Sequence, residues 1–162
     1  MRWLARLLVL WMPAAVKLRA CREVSSDFVS LLDARLHSGG STPVDAFRAA
    51  ARDTGIRAGE RLRGELRLAA SHADAELAWR LVSNASGMRY FVERRPGRSL
   101  FHHVQCPVFQ AGGAALCRDF CLPMVEGLTA AVCPSCSVEI VEPAGPEGPC
   151  VKALVLREPP NA

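Results

Sequence analysis

The sequence predicts an α+β fold, in which N-terminal helices are followed by an antiparallel sheet of about four strands with a helix between two hairpins. Apolar residues recur at helical spacing in the first half of the chain. Two pairs of short alternating segments follow, separated by a further helical stretch. With 162 residues, half of them hydrophobic, we expect one domain over residues 1–162. It divides into a helical part (1–70), a cysteine-rich α+β part (71–157) and a tail (158–162).

The N-terminal segment combines basic residues with the apolar run Leu7–Met12, an order that resembles a secretory signal peptide. However, Pro13 interrupts the run, and Lys17 and Arg19 stand where a cleavage site needs small residues. The run is also too short to span a bilayer. We therefore expect a packed helix that contacts the domain or a partner, either a second copy in a homodimer or another protein.

Two more helices are predicted before the sheet. Thr42–Asp45 has the order of an N-cap, a first-turn proline and a capping acid. In the helix that follows, Gly55 and Gly59 would allow another helix to pack closely against it. Ser71–Asp74 is predicted to cap the next helix.

The predicted sheet starts with the hairpin Met88–Cys106, in which the segments MRYFVERR and SLFHHVQC flank a Pro-Gly turn. A helix over residues 114–131, opened by Gly112-Gly113, comes next. Pro123 lies in its middle, where it removes a hydrogen bond and clashes with the preceding turn, so a kink or break is expected there. SVEIVE and CVKALVLRE are predicted to form the last two strands around a Pro/Gly-rich loop over residues 143–149.

Charge and cysteine content exclude some classes of protein. The formal charge is +4, and the arginines are spread along the chain without interleaved aromatic residues, so no nucleic-acid partner is expected. The seven cysteines form an odd set in a chain longer than most secreted disulfide scaffolds. Reduced thiols, and hence a cytoplasmic protein, are the expectation.

Six of the cysteines fall between residues 106 and 150. Cys117 and Cys121 are four residues apart on a predicted helix and so share a face, while Cys133 and Cys136 form a CxxC turn. Thiolates in such an array suit zinc or an iron–sulfur cluster. The alternative is that they are small buried hydrophobic residues. The candidate metal ligands are Cys106, Cys117, Cys121, Cys133, Cys136 and Cys150.

A nucleophilic site is the other chemical interpretation. Cys106 or Cys117 would be the nucleophile and His103 the general base, because a histidine or a helix N-terminus can lower the pKa of a thiol. His102 and His103 point to opposite faces of their strand, so they cannot bind one metal without a bend. An ordinary hydrogen-bonded strand histidine is the alternative for either one.

The C-terminal half resembles a known family. Cys106-Pro107, then Cys117 and Cys121, then Gly148-Pro-Cys150 before the last strand are similar to the L-2-amino-thiazoline-4-carboxylate hydrolase-like family. Residues 121–155 are also similar to the 4-vinyl reductase domain, whose fold is shared with TRAPP-complex subunits. Glu142 stands where that domain has a cysteine, and the Cys133–Cys136 turn is an addition.

The resemblance, which covers about residues 75–157, implies an α+β fold with a ligand pocket between helices and sheet. It implies either hydrolysis of a ring C–N or C–S bond in a small molecule, or a metal- or cluster-bearing module that senses ligands. A protein-interaction subunit that uses the apolar N-terminal helices is the third hypothesis.

Overall fold

The structure is a computed structural model that describes residues 43–145 and 148–157. The predicted N-terminal helix, with Cys21, and the C-terminal tail lie outside the described residues. The described elements, in chain order, are helices α1 (Val44–Leu66) and α2 (His72–Ala85), strands β1 (Arg89–Arg95) and β2 (Arg98–Gln105), helix α3 (Pro107–Leu116), a π-helical segment (Cys117–Cys121), helix α4 (Leu122–Val132), and strands β3 (Cys136–Glu142) and β4 (Val151–Leu156).

The four strands form one antiparallel sheet in the order β1-β2-β4-β3. The main core joins residues of α2 and α4 to the sheet residues Phe101 and Leu154, both with no exposed surface. Trp79 of α2 lies at its centre, where its ring centroid is 4.8 Å from that of Phe101 and its Nε1 donates a hydrogen bond to Thr129 Oγ1. The α+β prediction is confirmed. None of the described helices is both long enough and apolar enough to cross a membrane.

The first hairpin is confirmed. Arg95 pairs with Arg98 across a two-residue turn in which Gly97 has a φ of 63°, a conformation that glycine adopts without strain. The start of α2 is also as predicted, since Ser71 accepts a hydrogen bond from the backbone N–H of Asp74. The predicted Thr42 cap falls outside the described residues, and α1 begins at Val44 with no side-chain cap.

The close helix packing predicted from the glycines occurs between α1 and α4. A Cβ atom on Gly55 would lie 1.9 Å from the backbone oxygen of Met124, and one on Gly59 would lie 2.7 Å from Ala131 Cβ. Gly127 of α4 has the same role on the other helix, because a Cβ there would lie 2.1 Å from the backbone oxygen of Arg52. The two backbones therefore touch where side chains are missing.

The helical region after the hairpin differs from its prediction. It begins at Pro107, whose lack of an N–H suits a first turn, and Gly113 interrupts it with a φ of 60°. The predicted irregularity at Pro123 is confirmed as the π-helical segment, after which α4 starts at Leu122 with the proline in its first turn. Proline is tolerated in the first turn of a helix, so the irregular segment lies before Pro123 and a regular helix follows it.

Candidate functional site

Four cysteines from three elements meet at one end of the sheet. Cys106 lies at the start of α3, Cys117 and Cys121 bound the π-helical segment, and Cys150 directly precedes β4. Their exposed fractions are between 2% and 6%, and all four are free thiols. Each interacts electrostatically or through hydrogen bonds with others of the set. We call these four residues the thiol cluster.

A lysine lies inside the cluster. Lys152 is 2% exposed, and its Nζ is 2.8 Å from Cys150 Sγ and 3.5 Å from Cys121 Sγ. Burial lowers the pKa of Lys152, but the sulfurs of Cys121 and Cys150 raise it by more, so the net shift is upward. A buried ammonium needs a negative partner, and here a thiolate is the group within reach.

Cys150 has the lowest pKa of the four cysteines, so it is the thiolate that pairs with Lys152. The hydrogen bond from Cys117, followed by those from His103 and Lys152 and the charge of Lys152, lowers the pKa of Cys150 to about 3 against the opposing effect of burial. The pKa of Cys117 is raised by its interactions with Cys106 and Cys150, so it remains a thiol whose single S–H donates to one of these two sulfurs at a time. Burial likewise raises the pKa of Cys121. The pKa of Cys106 is lowered to about 6, chiefly by the hydrogen bond with Cys117.

His103 also borders the cluster. Its Nδ1 is 3.0 Å from the backbone oxygen of Cys150, and since a carbonyl only accepts, Nδ1 carries the proton. With Nδ1 engaged in this bond, Nε2 is the ring nitrogen left for a further hydrogen bond or a proton transfer. His102 points to the other face and stacks on Phe91, with ring centroids 4.4 Å apart. The two histidines are therefore separated, as their adjacent strand positions predict.

The CxxC pair is not part of the cluster. Cys136 pairs with Leu156 at the far end of β4, whereas Cys150 precedes the first residue of that strand. Six residues of extended chain span about 20 Å. The pairing of β3 with β4 therefore keeps Cys133 and Cys136 away from Cys117 and Cys121, with which they were predicted to form one array. Cys150 lies beside Cys117 and Cys121 instead.

Thiolates are donors that soft metals prefer. Across residues 43–145 and 148–157, no three His, Cys, Asp or Glu side chains stand as a group that could hold a metal ion. The ammonium of Lys152, 2.8 Å from Cys150 Sγ and 3.5 Å from Cys121 Sγ, would repel a second cation near these two sulfurs.

Lys152 was not among the residues selected from the sequence, although a signal for it exists. In CVKALVL it is the one charged residue of an apolar strand, and the period of two places it on the same face as the fully buried Leu154. A charged residue at a core position next to a cysteine indicates a paired site.

A cavity lies elsewhere, beside α2 and β1. It has a volume of about 340 Å³ and is open to solvent. Its lining comes from α2 and β1 and includes Arg80, Asn84, Arg89, Tyr90 and Arg94, but no residue of the thiol cluster.

A buried ion pair fixes the π-helical segment to α1. Asp119 is 4% exposed, and Arg48 Nη2 donates to its Oδ1 at 2.8 Å, as does Arg118 Nε at 2.9 Å. Arg118 and then Arg48 lower the pKa of Asp119 to about 2 against the effect of burial. Asp119 lies between Cys117 and Cys121 in the π-helical segment, so its bond to Arg48 links this segment to α1.

Acid should release this contribution to stability. Because the folded-state pKa of Asp119 lies below the unfolded value of about 3.9, the pair stabilises the fold above that value and is lost as the pH falls through about 2. We expect Asp119→Asn to lower the free energy of unfolding by about 1 kcal/mol at neutral pH, since both arginines are partly exposed. Urea unfolding should show the difference narrowing in acid. An equal difference at every pH would contradict this account.

Comparisons of the chain with protein-family models, curated proteins and solved structures found no match. The chemistry of the thiol cluster is therefore the basis for a functional assignment.

Proposed function

We propose that the chain is a hydrolase-like protein that opens a ring C–N or C–S bond of a small molecule with the thiolate of Cys150. One observation carries this proposal, namely the Lys152 ammonium 2.8 Å from Cys150 Sγ in a buried site. Such a pair supplies a thiolate at neutral pH, and the thiolate is the nucleophilic form of cysteine. The nucleophile thus shifts from Cys106 or Cys117, as predicted from the sequence, to Cys150.

The surrounding groups suit the two halves of such a reaction. In the first, the Cys150 sulfur bonds to the electrophilic ring carbon, the ring C–N or C–S bond breaks, and Cys117 gives its thiol proton to the leaving atom. In the second, His103 Nε2 takes a proton from water, whose oxygen bonds to the same carbon and displaces the Cys150 thiolate. That proton then returns to Cys117. The overall change is the addition of one water molecule.

Access to the cluster is the physical requirement of this proposal. Helix α3 directly follows Cys106, contains no buried residue and is interrupted at Gly113. A segment with so little buried surface opens at small cost in free energy. A small ligand would therefore enter by displacement of α3, beside the half-buried His103.

A ring-opening assay tests the proposal. Cleavage of the ring C–S bond of a 2-aminothiazoline carboxylate frees a thiol, which a chromogenic thiol reagent detects after the protein is removed, and cleavage of the ring C–N bond is detected by mass spectrometry as the addition of one water molecule. We expect thiol release with the wild-type chain, loss of release with Cys150→Ser, and unchanged release with Cys136→Ser, whose sulfur lies at the other end of the sheet. Equal product formation by the wild-type and Cys150→Ser chains would overturn the proposal. So would the absence of any ring-opened product when the folded wild-type chain is incubated with small cyclic substrates that contain ring C–N and C–S bonds.

A soft-metal or iron–sulfur module is the second candidate, and the convergence of four cysteines favours it. In this case Cys106, Cys117, Cys121 and Cys150 would hold the metal after Lys152 turned aside. Metal analysis of the protein purified without chelator separates the two candidates. Zinc or iron that is lost in Cys117→Ser and retained in Cys136→Ser supports this second function, whereas a metal-free wild-type protein overturns it.

A further inference from the structure

The CxxC pair is a second, separate thiol site. Cys133 Sγ and Cys136 Sγ are 2.8 Å apart, while the pair lies at the end of the sheet away from the thiol cluster. Their exposed fractions are 0% and 4%. Neither sulfur is used by the proposed function.

The backbone holds the two sulfurs together. Cys133 ends α4, where its N–H donates to Thr129 O, and the N–H of Cys136 donates to Cys133 O at 2.9 Å to close a tight turn. The N–H of Arg157 fixes the tip of the turn through a 2.8 Å hydrogen bond to Ser135 O. The two thiols are therefore preorganised by three elements of the fold, so little further ordering is needed to join them.

We propose that Cys133 and Cys136 form a redox site that closes to an intramolecular disulfide by exchange with a low-molecular-weight disulfide. In this exchange one cysteine sulfur attacks the external disulfide and releases one thiol. The second cysteine sulfur then attacks the mixed disulfide, forms the Cys133–Cys136 bond and releases the other thiol. Two cysteine thiols are oxidised and one external disulfide is reduced to two thiols, so protons and electrons balance.

The location of the pair decides which redox state is favoured. A CxxC site is a strong oxidant when its reduced form is stabilised as a thiolate, often at a helix N-terminus. Here Cys133 lies at a helix C-terminus, whose partial negative charge disfavours a thiolate. The reduced form lacks that stabilisation, so the closed disulfide should persist once formed. Pro134 and Ser135, which separate the two cysteines, are exposed, so a local opening of this surface turn gives a small reagent access to the sulfurs.

Disulfide mapping tests the proposal on the full-length native chain. The protein is treated with oxidised glutathione, remaining thiols are alkylated, and the peptides are analysed by mass spectrometry. We expect two fewer free thiols, a peptide holding Cys133 and Cys136 that has lost two hydrogen atoms, and full reversal with dithiothreitol. In Cys136→Ser, Cys133 should instead carry glutathione.

Three outcomes would overturn the proposal. These are Cys133 and Cys136 that both stay free thiols, glutathione on both without a bond between them, or a first disulfide that forms within the thiol cluster. The wild-type chain alone decides among them, so the test does not depend on the folding of a variant. Its result is independent of the ring-opening assay.

Discussion

Replacing Gly55 by alanine should destabilise the fold by about 3 kcal/mol or more, the upper range for overpacked sites. The added Cβ would lie 1.9 Å from the backbone oxygen of Met124 and 2.9 Å from the backbone nitrogen of Leu128. An ordinary contact needs about 3.5 Å, so α1 and α4 would have to separate. Because domains are stable by only about 5–15 kcal/mol, this loss should be visible in denaturant unfolding as a much lower midpoint.

Gly64 provides the matched control within the same helix. It is exposed, and a Cβ there would meet no atom within 4 Å. Gly64→Ala should therefore raise the free energy of unfolding by about 0.5–1 kcal/mol, because alanine loses less backbone entropy in a helix. Equal effects of the two substitutions would show that α1 and α4 do not pack through Gly55.

Replacing Lys152 by methionine should raise the pKa of Cys150. The ammonium favours the thiolate, so without it the pKa should move toward the usual value of about 8.5, while the hydrogen bonds from Cys117 and His103 remain. At a pH below the raised pKa, the rate of Cys150 alkylation by iodoacetamide should then fall by about 10-fold or more, since the rate follows the thiolate fraction. Methionine fills a similar volume without charge, so the variant is expected to fold.

Lys152→Arg is the matching control, because it keeps the positive charge and should retain most of the alkylation rate at acidic pH. Rates are compared at one pH on the same cysteine, so limited access affects the chains alike. An unchanged rate in Lys152→Met would mean that the ammonium does not support a thiolate at Cys150.

Local patterns predicted the parts of this fold that local forces decide. Alternation and a Pro-Gly turn predicted the first hairpin, and Ser71 with Asp74 predicted the start of α2. The glycines of α1 predicted close helix packing, since a missing side chain leaves room for a backbone whatever the partner is. Helical spacing brought Cys117 and Cys121 together in the prediction, and they do share the cluster.

The pairing of strands that are distant in sequence determines the remaining features of the site, which local patterns could not predict. The register of β3 on β4 places Cys136 opposite Leu156, and this register alone separates the CxxC pair from Cys150. The role of Lys152 likewise depends on which face of β4 meets the π-helical segment. The start of α3 at Pro107 was missed because Gly112-Gly113 is a typical helix boundary, whereas here Gly113 interrupts the helix.

The protonation state of Cys150 tests the central claim most directly. Cysteine labelled with ¹³C at Cβ reports thiol and thiolate by its chemical shift, and the Cys150→Ser chain assigns the signal. We predict that Cys150 is a thiolate at neutral pH and remains one well into the acidic range, and that in Lys152→Met the same signal changes to that of a thiol at a higher pH. A Cys150 signal that is already a thiol at neutral pH in the wild-type chain would contradict the account.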